Sequence, residues 1–148
     1  MRIDFIGHAS LLVRSGSVSL LTDPWWEGPA YHGQWHPYPF PVPEQYDLTT
    51  IDAIHLTHGH EDHTHAPTLR RLTHARAILP RWYDRDNARG LQQLGFSRVH
   101  EIASGHSLRL GPLELTVFTY LGDSILVVDD GREVAVNLND ALHCARDE

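Results

Sequence analysis

Five of the chain's twelve histidines, at positions 55, 58, 60, 63 and 65, fall within eleven residues. An even scatter would place about one there, and dense histidine tracts are a metal-binding signal. The informative core is His58-Gly59-His60-Glu61-Asp62-His63. In an extended chain, residues i and i+2 point to the same side, so His58 and His60 can hold one ion. Gly59 lets the backbone turn tightly between them. Asp62 and His63 are adjacent, project differently, and suit a second ion or the other side of a shared site. All four groups are nitrogen or oxygen donors appropriate to zinc, iron or manganese. A helical zinc peptidase is excluded, because His60-Glu61 is followed by histidines at 63 and 65 but not at 64.

The cluster needs a scaffold, and Ile51–Thr57 reads as a buried strand that delivers the chain into it. Sheet proteins commonly place ligands at strand ends. Upstream, Ile3–Ile6, Ser10–Arg14 and Val18–Thr22 read as an antiparallel meander that Asp23-Pro24 stops. Residues 24–47 mix prolines with Trp25, Trp26, Tyr31, Trp35, Tyr38 and Phe40. They are too proline-rich for a helix and too aromatic for a disordered linker, which leaves a lid over the site or a cover over the core. Downstream, Pro67 suits the first turn of a helix from Thr68 to about His74, and Ala77–Leu79 reads as a strand. A helix over Asp84–Leu94 is closed by Gly95, and Arg98–Ile102 is a strand. Ser107–Leu110, Leu113–Tyr120, Ile125–Val128 and Glu133–Leu138 complete a β-rich end, with Asp130-Gly131 as a hairpin turn. The fold class is therefore α/β or α+β, one domain over residues 1–148, with helices on one face of the sheet.

Composition narrows the partners. A net charge of −7 argues against nucleic acid and anionic membranes, and no apolar stretch is long enough to span a bilayer. One cysteine, Cys144, rules out an internal disulfide, suits a reducing cytoplasm, and cannot hold a Rieske cluster. The N-terminus lacks the apolar core of a secretory signal, so a cytoplasmic location is expected. All twelve basic residues are Arg, seven of them between 70 and 98, which reads as the solvated face of two helices or, alternatively, as a forked-donor surface for a phosphate- or carboxylate-bearing ligand. A small-molecule substrate is the expected partner, and the oligomeric state is not readable.

His58-x-His60-x-Asp62-His63 after an apolar strand resembles the signature of the metallo-β-lactamase family. Gly7-His8-Ala9-Ser10 followed by Leu21-Thr22-Asp23-Pro24 is similar to the branch with ascorbate-lactonase-like proteins. Asn137-Leu138-Asn139-Asp140 is similar to the branch with nucleotide-sugar hydroxylases. The resemblance implies an αββα sandwich of which this chain carries the first half and the opening of the second, as a short or truncated member. It further implies that His58 and His60 hold one metal, that Asp62 and His63 hold another, and that Asp140 bridges. Asp62 is then the residue expected to serve catalysis, Asp23 orients a histidine ring, and His8 is a pocket residue.

One or two zinc ions are the expected cofactor, with iron or manganese as alternatives. The family's usual third histidine has no counterpart in Phe118–Asp123, where Asp123 or Tyr120 could substitute. His143 lies too close to Asp140 for the family's last histidine. His55, His65, His74 and His106 read as strand packing, helix start, helix surface and surface turn. The leading expectation is a hydrolase of an ester, lactone or phosphodiester that uses a metal-activated water. The alternatives are the metal-binding module of a Rieske-type nucleotide-sugar hydroxylase system, and a non-catalytic metal-binding domain.

Overall fold

The computed structural model describes residues 1–81 and 86–141. Six strands form the first sheet: β1 (Arg2–Gly7), β2 (Ser10–Ser15), β3 (Val18–Thr22), β4 (Ala53–His55), β5 (Arg76–Pro80) and β6 (Val99–Ile102), hydrogen-bonded in that order. β1 to β3 are antiparallel and β3 to β6 parallel. The second sheet is an antiparallel run of β7 (His106–Leu110), β8 (Leu113–Tyr120), β9 (Asp123–Asp129) and β10 (Val134–Asn137).

Alternation along the strands sorts side chains into two layers. Leu21, Ile54, Ala77 and Leu79 face the helical side, where Leu69, Leu72, Leu91 and Phe96 cover them. Leu20, Ala53 and Ile78 face the other way, against Leu113, Leu115, Val117, Leu126 and Val128 of the second sheet. The outer face of that second sheet has no covering layer among the described residues, and Phe118, Val134 and Val136 are exposed on it. Helices lie on one side of a two-sheet sandwich, the arrangement that the resemblance implies for the first half of the fold.

The elements differ in detail from expectation. The ladder of β4 covers only Ala53–His55, although Leu56 N–H still donates to Ile78 O at 3.0 Å. The helix expected to reach His74 is a single turn, α1 (Ala66–Leu69), with Pro67 in its first turn. Arg71 and Leu72 then donate to the carbonyls three residues back, which tightens the chain and puts His74 in an exposed turn. The second helix, α2 (Asp86–Leu94), ends at Gly95 with φ +111°, while Asp84 and Arg85 lie outside the described residues. Arg70, Arg71, Arg81, Arg89 and Arg98 are exposed but sit on turns as well as on helices. No helix of the described residues is long and apolar enough to cross a membrane.

Residues 24–47 divide between the two roles open to them. Trp25 is fully buried, so part of the loop is core. Tyr31 reaches the histidine cluster, while Trp35, Tyr38 and Phe40 remain exposed.

Candidate metal centre

β4 ends beside the end of β3, and this neighbourhood builds the site. Asp23, just past β3, has its carboxylate fully buried. It accepts from Thr57 N at 2.8 Å and from Thr57 Oγ1 at 2.9 Å, and lies 3.3 Å from His63 Nδ1. Asp23 thus fixes the turn that leaves β4 and holds the Nδ1–H tautomer of His63, which leaves Nε2 free for a metal. The expected orienting role of Asp23 falls on His63.

Thr57 does the same for His58. Its hydroxyl proton goes to Asp23, so its oxygen can accept from His58 Nδ1 at 3.1 Å. Asp123 Oδ1 lies 3.3 Å from the same nitrogen. Asp123 therefore stands behind the His58 ring rather than in the place of a third histidine. His58 Nε2 faces inward, 2.9 Å from His60 Nδ1. The buried His58 and the exposed His60 thus approach within hydrogen-bond distance of each other, while the ligand atoms that gather around one point with His58 are those of His63 and Asp140.

Asp140, half exposed, lies between the two halves of the cluster. Its Oδ2 is 4.0 Å from His58 Nε2 and 3.6 Å from His63 Nε2. One ligand atom from each of His58, His63 and Asp140 falls within 4.8 Å of the others. Asp62 Oδ2 lies 3.5 Å from His63 Nε2 and 2.9 Å from His8 Nε2. The structure therefore brings His58, His60, Asp62, His63 and Asp140 to one place, with Asp23 and His8 against them. His143 and Cys144 lie outside the described residues. His65 immediately precedes α1 and its Nδ1 meets Thr68 Oγ1 at 3.0 Å, and His106 is exposed at the start of β7.

Three contributors were not anticipated. Tyr31 donates its phenol to Asp62 Oδ1 at 2.6 Å, and its backbone N–H meets the Glu61 carboxylate. Asn139, with φ +47°, donates its amide to Thr57 Oγ1. Asn137 keeps a buried amide nitrogen without a partner among the described residues. Asn137, Asn139, His8, Ala9 and Leu11 join His63 and Asp140 around a cavity of about 280 Å³. The paired asparagines were visible in sequence only through a branch resemblance, and nothing local marked Tyr31.

The electrostatics follow the contacts. Burial opposes the charge on His63, but Asp23 and Asp62 outweigh it and push its pKa up to about 10. Burial likewise opposes ionisation of Asp62, yet His63, His8 and Tyr31 hold it well below the usual carboxylate range. Burial and the Asp62 carboxylate push the Tyr31 phenol up to about 12, so it stays a donor. His55 is different. It is fully buried between the sheets with neither ring nitrogen partnered among the described residues, and burial lowers its pKa to about 4.

Among the described residues the donor set is imidazole and carboxylate, which fits one or two first-row ions such as zinc, iron or manganese. The family described as "Beta-lactamase superfamily domain" matches residues 19–138, a span that holds every one of these donors except His8 and Asp140. The chain belongs to the beta-lactamase superfamily. Among relatives of this superfamily chain, a Mycobacterium tuberculosis protein named as a Rieske 2Fe-2S iron-sulfur protein is 35% identical over 157 residues. That match covers 95% of this chain and 30% of the relative, so the chain spans under a third of the relative's length. Cytidine monophosphate-N-acetylneuraminic acid hydroxylase of Danio rerio is 32% identical over 79 residues, covering 53% of this chain and 13% of the enzyme.

Solved structures agree on the fold. CmlA, a diiron beta-hydroxylase from Streptomyces venezuelae, superposes with a TM-score of 0.71 at 22% identity, covering 93% of this chain and 29% of CmlA. A protein described as a possible metal-dependent hydrolase from Veillonella parvula gives 0.70 at 14% identity, covering 94% of this chain and 63% of that one.

Proposed function

We propose that this chain is the metal-binding module of an oxidoreductase that hydroxylates a small polar substrate. The electrons would come from an iron–sulfur cluster carried outside these residues. The observation that carries the reading is the 35% identity over 95% of the chain to a Rieske-named protein. A Rieske cluster takes two cysteines and two histidines, and this chain has one cysteine. The cluster must therefore sit on another domain or protein. A reducing cytoplasm suits both that cysteine and a cluster-dependent enzyme.

A bound metal pair supplies Lewis acidity toward water or, as iron, redox chemistry toward dioxygen. The chain's own residues do the rest. His58 and His60 would hold one ion and Asp62 and His63 the other, with the Asp140 carboxylate within reach of both halves of the cluster. Asp23 and Thr57 keep His63 and His58 in the tautomers that present Nε2. Asn137 and Asn139 line the cavity in which a polar substrate would sit.

The second reading is a metal-dependent hydrolase. It is favoured by the half-exposed Asp140 carboxylate at the open cavity, where a metal-bound water would meet an ester, lactone or phosphodiester. Loading the chain with iron(II) without oxygen, and separately with zinc, separates the two. Two irons per chain that are oxidised when dioxygen is admitted support the oxidoreductase. Turnover of a hydrolysis panel by the zinc form, with an iron form inert to dioxygen, sinks it.

A further inference from the structure

We propose that His8 is itself a ligand of the second metal ion, completing a His8–Asp62–His63 set. This rests on the reading that the site takes two ions. His8 occupies the turn between β1 and β2, where a polar side chain would ordinarily point to water. Instead it lines the cavity with its ring about a quarter exposed. Its φ is +53°, an uncommon conformation for any residue with a side chain. The turn is held there from outside: His8 N–H donates to Tyr38 O at 3.0 Å. A Cβ on Gly7 would meet Pro39 O at 2.6 Å, so the aromatic loop passes directly over the turn.

The ring is aimed as tightly as the backbone. The fully buried Trp25 packs edge-on against it, with centroids 4.9 Å apart at 89°. His8 Nε2 then lies 2.9 Å from Asp62 Oδ2. The other Asp62 oxygen is occupied by the Tyr31 phenol, so Oδ2 is the one left for an ion. His63 Nε2 lies 3.5 Å from that same Oδ2, and its Nδ1 is turned away toward Asp23. One ligand atom from each of the three residues falls within 4.8 Å of the others. Two imidazoles and a carboxylate with a cavity beside them form a three-ligand site that leaves a position open for a substrate or water. Without His8, the described residues offer the second ion only Asp62, His63 and the shared Asp140.

A histidine that merely donates to Asp62 would show the same apo contacts, so the test must read the metal bond. Cobalt(II) is titrated into the 148-residue chain, into His8→Asn, which tolerates the left-handed turn, and into His8→Gly with and without free imidazole. Wild type is expected to take two ions. His8→Asn should keep the first and lose affinity for the second by about a thousandfold, beyond the ten- to hundredfold typical of an outer partner. Imidazole should restore the second site in His8→Gly. In wild type labelled with 15N-histidine, the His8 Nε2 resonance should shift when the second equivalent of zinc is added, which needs no variant. Two ions bound at wild-type affinity by both variants, or a His8 resonance unmoved by the second zinc, overturns the assignment. A wild-type chain that takes up only one ion overturns the two-ion reading beneath it.

Discussion

Replacing Asp23 with Asn changes one atom of the site and leaves its volume almost untouched. Asp23 currently accepts three hydrogens, from Thr57 N, Thr57 Oγ1 and His63 Nδ1. Asn has one oxygen and one NH₂, so the carboxamide can satisfy Thr57 but must turn a donor toward His63 Nδ1–H. That conflict pushes the His63 proton onto Nε2, the nitrogen a metal needs.

Loss of a charge-assisted hydrogen bond in a buried place should cost the metal-free fold about 1.5–3 kcal/mol. Loss of an orienting carboxylate costs metal affinity about ten- to hundredfold. Asn also removes one of the carboxylates that keep His63 protonated, which favours metal uptake near neutral pH. The net loss expected at pH 7 is therefore nearer about tenfold, or roughly 1.4 kcal/mol, at the ion held by His63. Competitive titration with a chromophoric chelator measures both affinities, and urea unfolding of the metal-free protein measures stability. The ion held by His58 and His60 should be weakened much less. A variant that binds both ions within twofold of wild type, while losing the expected stability, refutes the tautomer argument.

Other outcomes follow from the same contacts. With His63 at about pKa 10, metal uptake near pH 7 should release about one proton from it, and the affinity of its ion should rise about tenfold per pH unit toward 10. Calorimetry in buffers of different ionisation enthalpy reads that release, and a pH-independent affinity contradicts it. In the metal-free protein, His55 titrates at about 4 instead of 6.5, so the unfolded chain takes the proton first. Its contribution is fully present above about pH 6.5 and falls by about 3 kcal/mol as the pH drops toward 4. His55→Leu should remove that component of the acid slope and raise stability at pH 7 by about 1 kcal/mol, since two unpartnered ring nitrogens leave the core. Denaturant midpoints from pH 4 to 8 test both claims. Trp25→Ala should cost about 3–5 kcal/mol in the same unfolding assay, because a fully buried indole would leave a cavity against His8 and His65.

The parts of the site that could be read in sequence are those that lie close together along the chain. His58, His60, Asp62 and His63 announce themselves because six residues hold four donors at strand and turn spacing. Val18–Thr22 and Leu113–Tyr120 match their strands because β-branched and aliphatic runs bounded by turn residues have few other uses. What failed is what depends on distance. Tyr31 meets Asp62 across 31 positions and Asp123 meets His58 across 65, and no local pattern encodes either pairing. The α1 segment failed for a nearer reason: Leu69 and Leu72 are both buried by consecutive tight turns, and their spacing looks the same as that of a longer helix.

The Thr57 hydroxyl also couples the two sheets. It touches Asp23 from the first sheet and Asn139 from just past the second, while Thr57 O accepts from Ser124 of β9 at 2.8 Å. The ligands thus hang from two sheets that Thr57 ties together at the site. Their separation is set by how the sheets slide on each other, so the centre acts as a gauge of that alignment. Repacking Leu115 against Leu126, more than 50 positions along the chain from Thr57, would alter the spacing between ions before it altered whether the protein folds.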